Sequence, residues 1–233
     1  NPSLHKSQVQ CILRHRKTYR FPNKEIKRMK SLITVIGLTL ASMVAMAADS
    51  AATNAHVGNA DQGKAKSTTC AACHGMDGNG VAADYPKLAG QHATYLESTL
   101  KAYRDGSRGN AIMAGMAAAL SDEDIADLAA YYSEQMSSTG AVDANLVARG
   151  EQLYRFGDSE KGISACAACH GPTGAGVASA IFPSLKGQWA GYSEAQLKAF
   201  RDGLRGNVMM NGVAKNMSDA DIKAVSSYVG GLQ

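Results

Sequence analysis

The pentapeptide Cys70-Ala71-Ala72-Cys73-His74 recurs as Cys166-Ala167-Ala168-Cys169-His170. Cys-x-x-Cys-His is the attachment signature of a covalently bound c-type haem. Two thiols separated by two residues can each add to one haem vinyl group, and the histidine that follows is then placed to bind the iron. The sequence therefore predicts two covalent haems, held by the four cysteines, with His74 and His170 as axial ligands.

A Cys-x-x-Cys pair can also belong to a redox motif or to a zinc site. A thioredoxin-like redox motif would not need the histidine that follows both pairs. A structural zinc site would combine two such pairs at a spacing of roughly 15–20 residues, whereas 93 residues separate Cys73 from Cys166. The pattern favours haem over both.

Each haem motif lies within one copy of a longer internal repeat. A shift of 97 residues aligns Pro86 with Pro183 and gives 23 identities over the 40 positions from 86 to 125. The haem motifs themselves align at a shift of 96, so the second copy has gained one residue between its motif and its proline. A repeat of this kind predicts two tandem domains. We place them at 56–138 and 146–233, joined by a short polar linker at 139–145.

Both copies are predicted to be helical. Ser121 and the acidic residues after it resemble an N-cap, and an apolar stripe at helical spacing follows. That stripe consists of Ile125, Leu128, Ala129 and Tyr132, and its equivalent begins at Ser218. Another helix is predicted near Tyr95–Tyr103 and Tyr192–Phe200, each followed by a glycine that suits a helix end. With a helix before each haem motif, at 58–69 and 146–154, and no alternating strand pattern, the predicted fold class is all-α.

The N-terminal region resembles a processed leader rather than part of the fold. Residues 29–47 combine a basic start, an apolar run from Leu32 to Ala47 and an Ala-x-Ala site, as in a secretory signal peptide cleaved after Ala47. The run is shorter than the roughly 20 apolar residues that span a bilayer. Residues 1–28 are interpreted as an upstream segment outside the mature protein.

The charge balance changes once that region is set aside. Residues 48–233 contain 15 basic and 19 acidic side chains, a formal net charge of −4. This acidity argues against a nucleic-acid partner and provides no electrostatic attraction to an anionic membrane. The two halves differ, since residues 48–139 have net charge −5 and residues 140–233 have net charge +1. Such a dipole can orient a protein toward different partners at its two ends.

In combination, these motifs resemble the cytochrome c4 family, which has two class I cytochrome c domains in tandem. Both halves contain the haem motif, then Pro-x-Leu-x-Gly-Gln, then Met-x-Gly before Ser-Asp and a terminal helix. The resemblance implies two small helical bundles, each around a covalent haem. It also implies that the carbonyls of Pro86 and Pro183 accept a hydrogen bond from the proximal imidazoles, which would orient His74 and His170.

Methionine is the expected sixth ligand of each iron. His/Met ligation raises the reduction potential and closes the iron. The repeat aligns Met113 with Met210, whereas Met116 aligns with Val213 and Met209 with Ile112. We therefore predict Met113 and Met210 as the ligands.

Other polar side chains near the motifs have less definite roles. His92 has Trp189 as its counterpart, so it is interpreted as a helix-starting or surface residue and not a ligand. Gln91 and Gln188 are expected at the haem or at a domain interface. Four repeated arginines could bind haem propionates or simply lie at solvated helix ends: Arg104, Arg108, Arg201 and Arg205.

The family resemblance implies an electron carrier and not an enzyme. It would work in the periplasm, accepting electrons from a quinol-oxidising complex and passing them to a haem-copper terminal oxidase. Two alternatives stay open: an electron-accepting dihaem subunit of a periplasmic dehydrogenase, for example in sulfur-compound oxidation, and a dihaem peroxidase, against which two methionine ligands argue. Loose association with the membrane is also left open.

Overall fold

The computed structural model describes residues 57–233. Both haem motifs lie in one compact unit of the described chain. The expected signal peptide and the segment before it lie outside the described residues. Within residues 57–233, no helix is long and apolar enough to cross a membrane.

The all-α prediction is confirmed, since the described part of the chain is built from helices and has only two isolated β-bridges. The helices of the first copy are α1 (Ala60–Lys66), α2 (Thr68–His74), α3 (Ala93–Arg104), α4 (Ala111–Ala117) and α5 (Asp122–Ser133). Those of the second copy are α6 (Val147–Phe156), α7 (Ala167–His170), α8 (Ala190–Arg201), α9 (Val208–Ala214) and α10 (Asp219–Gly230).

The later helices of the two copies begin and end at equivalent residues, because the same capping residues recur. Ser121 and Ser218 each form a full capping box, with Asp124 and Asp221 as the third helical residue. Each serine hydroxyl accepts a hydrogen bond from a backbone N–H that would otherwise lack a partner at the helix start. The terminal helices predicted from the apolar stripes are therefore present.

The short helices α4 and α9 were not predicted. Each has only seven residues, rich in small side chains, so it gives no long apolar stripe. Asn110 and Asn207 begin them, and each side chain accepts a hydrogen bond from the backbone N–H three residues later. An asparagine N-cap in the same place of both copies is the signal that could have revealed these helices.

In each copy the terminal helix packs against the first helix, α5 on α1 and α10 on α6. Glycine allows the close crossing. A Cβ at Gly63 would lie 2.0 Å from the Asp127 carbonyl oxygen, and one at Gly150 would lie 2.4 Å from the Ala224 carbonyl oxygen. These crossings fix the helices that precede each haem motif.

The extra residue of the second copy lies in the loop between Val177 and Phe182. These two residues pair as an isolated antiparallel β-bridge at the base of the loop. A 3₁₀ turn, Ala178–Ala180, fills the loop and is followed by Ile181 at φ +56°. A β-branched residue is seldom found in this left-handed region. The loop lies against α3 of the first copy, where the Thr94 hydroxyl donates to the Ala178 carbonyl at 2.9 Å.

Candidate haem-binding sites

The four cysteines of the repeated motif are placed at the short helices α2 and α7. Cys70 and Cys73 lie within α2, and Cys166 caps α7, which contains Cys169. Residues three apart lie on one face of a helix. Both thiols of a pair therefore lie on the same side, where each can bond to one vinyl group of the same haem. All four thiols are free of disulfides. Burial raises the pKa of the Cys70 thiol and raises that of Cys166 to about 11.

The two motif histidines are buried and have equivalent partners. His74 is 7% exposed, and its Nδ1 lies 2.8 Å from the Pro86 carbonyl oxygen. His170 is 6% exposed, and its Nδ1 lies 2.9 Å from the Pro183 carbonyl oxygen. A carbonyl can only accept, so Nδ1 donates and Nε2 keeps its lone pair for a metal.

The electrostatics of these imidazoles also suit a ligand role. Burial lowers the pKa of both His74 and His170, although the hydrogen bond to each proline carbonyl acts in the opposite direction. The neutral imidazole, which is the form that binds iron, is therefore favoured. In the second copy the ring of Phe182 packs near His170, with centroids 6.4 Å apart.

The methionines of α4 and α9 differ in exposure. Met113 and Met210 are half-buried, and the Asn110 and Asn207 side chains accept hydrogen bonds from their backbone N–H groups at 2.9 and 3.0 Å. Met116 is 41% exposed and Met209 is 55% exposed. The sulfurs chosen from the repeat are thus the less exposed ones in each helix. Their bond to iron stays a prediction.

The residues present fit a c-type haem. Each copy offers a thiol pair on one helix face, a buried neutral imidazole with a free Nε2 and a half-buried thioether from a later helix. Sulfur and imidazole are the ligand types of cytochromes c. Among residues 57–233, no three His, Cys, Asp or Glu side chains are grouped as direct ligands of a metal ion.

The two copies meet through a reciprocal pair of glutamines. Gln91 accepts from the Ser184 backbone N–H and donates to the Ser184 carbonyl, both at 2.9 Å. Gln188 accepts from the Lys87 backbone N–H at 2.9 Å and donates to the Lys87 carbonyl at 3.0 Å. Since Gln91 aligns with Gln188 and Lys87 with Ser184, this interface has approximate twofold symmetry. The glutamines therefore bind across the domain interface, one of the two places predicted for them.

The four repeated arginines divide into two classes. Arg104 and Arg201 form ion pairs with Asp122 and Asp219 at 2.5 and 2.6 Å, which tie a helix end to the start of the next capped helix. This is the helix-end role.

Arg108 and Arg205 instead cross the interface. Arg108 donates to the Tyr192 hydroxyl and Arg205 to the Tyr95 hydroxyl, both at 2.9 Å. Both also donate to the Gln196 side-chain oxygen. Burial alone would raise the pKa of Tyr95, but the nearby charges of Arg205 and Arg108 outweigh it and lower that pKa. The sequence predicts Tyr95 and Tyr192 only as members of two helices, with no role between the copies.

His92 and Trp189 begin α3 and α8, as expected for His92. The surface alternative for His92 is only partly correct, since His92 Nε2 and Trp189 Nε1 are buried and have no hydrogen-bond partner among the described residues. Lys87 is a further residue that sequence reasoning passed over, and it lies under the Trp189 ring.

Comparison with known proteins finds relatives that agree with the two haem-attachment motifs. The family model described as cytochrome c matches residues 60–134 and 147–233. Cytochrome c4 of Pseudomonas aeruginosa is 44% identical over 210 residues, which cover 88% of this chain and 98% of that protein. The crystal structure of reduced recombinant cytochrome c4 from Pseudomonas stutzeri superposes with a TM-score of 0.73 at 44% identity, covering 76% of this chain and 100% of that one. A thiosulfate dehydrogenase electron acceptor from Thiomonas intermedia is 45% identical over 175 residues, 70% of this chain and 78% of that protein.

Proposed function

The chain belongs to the cytochrome c4 family of dihaem electron carriers and has two covalently bound c-type haems, and on this premise we propose that it relays electrons between two periplasmic redox partners. The donor would be a quinol-oxidising complex and the acceptor a haem-copper terminal oxidase. The supporting observation is the duplicated His–Pro hydrogen bond on the two sides of one hydrogen-bonded interface. Two equivalent sites so joined suit transfer through the molecule.

In this proposal the protein does no bond-making chemistry. Each bound haem supplies a one-electron couple at iron. His74 and His170 would bind the irons through Nε2, and Pro86 and Pro183 orient their rings. Met113 and Met210 would supply the second ligand of each iron, and an iron held in this way would have no position for peroxide or a sulfur substrate.

The proposed mature protein begins after a signal peptide at 29–47. We propose domains at 56–138 and 146–233 joined by the linker 139–145. The linker lies against the last helix of the second copy, where Gly140 N–H donates to the Gly230 carbonyl at 2.8 Å and Asp143 N–H donates to the Ser227 hydroxyl at 2.9 Å. The unequal charge of the two halves would direct them to different partners.

Stopped-flow mixing tests the relay directly. The purified dihaem protein should be reduced by a quinol-oxidising complex and reoxidised by a haem-copper oxidase, with both rates falling as salt screens the charges. It should turn over peroxide at the rate of free haem controls or below. Rapid peroxide turnover, or no exchange with either complex, would refute the proposal.

A second candidate is an electron acceptor for a dehydrogenase of sulfur compounds. The observation that favours it is the 45% identity to the thiosulfate dehydrogenase electron acceptor of Thiomonas intermedia. Stable co-purification with a catalytic chain, and reduction by thiosulfate only when that chain is present, would establish it. Reduction by the quinol-oxidising complex alone would support the first candidate.

A further inference from the structure

Lys87 is a buried cation that forms no direct ion pair, although the carboxylate of Asp77 acts on it from a longer distance. Its residue is 3% exposed, and its Nζ donates to the Ser138 carbonyl at 2.6 Å and to the Ser138 hydroxyl at 3.0 Å. The same Nζ lies 4.5 Å from the centroid of the Trp189 ring. No ion pair joins Lys87 to an acidic side chain within residues 57–233. An ammonium in such surroundings interacts strongly with other nearby charges, because little water screens it.

The position of Lys87 links it to the first haem site. It follows Pro86, whose carbonyl accepts the hydrogen bond of His74 Nδ1. Its own backbone N–H and carbonyl bind Gln188 of the second copy. The cation is therefore held in the loop that orients the first proximal histidine.

The aligned residue in the second copy is Ser184, which is neutral. The other cations of the interface, Arg108 and Arg205, occur as an equivalent pair and so affect the two sites alike. Lys87 directly follows the proline that orients the first histidine, whereas the second loop has its cation at Lys186, two residues farther along and opposite the neutral Ala89. This difference in position can make the two haems differ.

A nearby positive charge stabilises the reduced iron, which carries one positive charge less than the oxidised iron. We propose that Lys87 raises the reduction potential of the first haem relative to the second. The net charge of −5 on residues 48–139, against +1 on residues 140–233, acts in the opposite direction. Lys87 then brings the reduction potentials of the two haems closer together. Electrons can then move between the haems in both directions. This inference rests on the proposed two-haem relay.

The test is a redox titration of the intact dihaem protein with Lys87→Met, a change that removes the charge and keeps an unbranched side chain only one atom shorter. The methyl resonances of the two methionine ligands in the reduced protein report each haem separately. The equilibrium constant for electron exchange should shift toward the second haem several-fold, in the direction that Coulomb's law gives for the loss of a positive charge beside the first haem site. An unchanged constant would overturn the inference.

Matched variants separate charge from structure. Ser138→Ala removes one acceptor of Nζ and keeps the cation, so both potentials should stay as in the unaltered protein. Lys64→Met removes an exposed cation on α1 and should also leave the gap unchanged. If Ser138→Ala reproduces the effect of Lys87→Met, the role is structural and the inference is wrong.

The reciprocal variant keeps the test decisive if Lys87→Met fails to fold. Ser184→Lys places a cation at the equivalent position of the second copy and should raise the potential of the second haem. No rise in a folded Ser184→Lys protein would count against the inference. If both haems titrate reversibly and exchange electrons with the partner complexes while no variant alters the gap, only this inference fails. If one haem cannot be reduced at all, the relay itself fails.

Discussion

At the scale of single residues, the haem-attachment motifs are the features that the sequence indicates most directly. Covalent attachment confines two cysteines and a histidine to five consecutive residues, so no knowledge of the fold is needed to find them. The methionine ligands are distant in sequence, and only the repeat selects Met113 and Met210 from their neighbours. Lys87, in contrast, looks like an ordinary surface lysine, since its burial depends on Ser138 and Trp189.

The methionine assignment predicts a divided spectroscopic signal. The oxidised protein should show a weak sulfur-to-iron charge-transfer band at the red end of the visible spectrum. Met113→Ala and Met210→Ala should each remove about half of that band and open one haem to added ligands, because each would take away one of the two proposed methionine ligands. Met116→Leu and Met209→Leu are the controls and should retain it. Loss of the band in either control would mean that the wrong sulfur has been chosen.

Asp221 is predicted to stabilise the second copy in a pH-dependent way. Burial alone would raise the pKa of this carboxyl, but hydrogen bonds from Lys161, Ser218 and Arg149 outweigh burial and hold the pKa well below its usual range. The stabilisation is therefore present above the unfolded pKa of about 3.9 and is lost as the pH falls toward the folded pKa.

Asp221→Ala should lower the free energy of unfolding by about 2 kcal/mol at pH 7, because it removes a buried carboxylate that accepts hydrogen bonds from Lys161, Arg149 and Ser218. Chemical denaturation at pH 7 and at pH 3 measures the difference, which should shrink at the lower pH. Asp202→Ala, at an exposed ion pair with Arg201, is the control and should change little at either pH. An equal loss at both pH values would contradict the assignment.

At the scale of helices, long elements with a repeated cap were predictable and short ones were not. The apolar stripes and capping boxes of α5 and α10 span three turns, so their periodicity is clear. Helices α4 and α9 have seven residues each and derive their position from an asparagine cap and from packing against α3 and α8. Tertiary contact of this kind leaves little trace in a single sequence.

The crossing of α6 and α10 predicts opposite effects of the same substitution at two helical glycines. Gly150→Ala would place a Cβ 2.4 Å from the Ala224 carbonyl oxygen and 2.6 Å from the Tyr228 Cβ, so the helices must separate. We expect a loss of about 2 kcal/mol in the free energy of unfolding. Gly191→Ala in α8 would bring a Cβ only into ordinary contact, 3.7 Å from the Ala83 Cβ, and should stabilise by about 0.5 kcal/mol through helix propensity. Thermal unfolding followed by circular dichroism compares the two, and a stable Gly150→Ala protein would show that the close crossing is not required.

At the scale of the whole molecule, the sequence predicted two domains but not how they meet. The interface joins residues about 100 positions apart, such as Arg108 with Tyr192 and Arg205 with Tyr95. Every one of these residues is repeated, yet repetition by itself cannot distinguish a residue that serves its own copy from one that contacts the other. Gln91 and Gln188 each bind the backbone of the opposite copy, and these hydrogen bonds are seen only in the folded structure.

That arrangement predicts that the two copies unfold as one unit and separate when the glutamines are lost. The double variant Gln91→Ala/Gln188→Ala removes the side-chain amides that bind the backbone of Lys87 and Ser184. Each backbone N–H or carbonyl that stays buried without a partner would lower the free energy of docking by about 1–3 kcal/mol. Docking of the copies should weaken, while each haem core keeps its own ligands and helices. Scanning calorimetry of the holoprotein should then show two transitions in place of one, and electron exchange between the haems should slow.

Gln152→Ala is the control for this prediction. It removes an amide whose 3.5 Å hydrogen bond lies within the second copy, and it should preserve a single transition. A single transition in the double variant, with unchanged electron exchange, would mean that the arginine–tyrosine contacts hold the copies together without the glutamines.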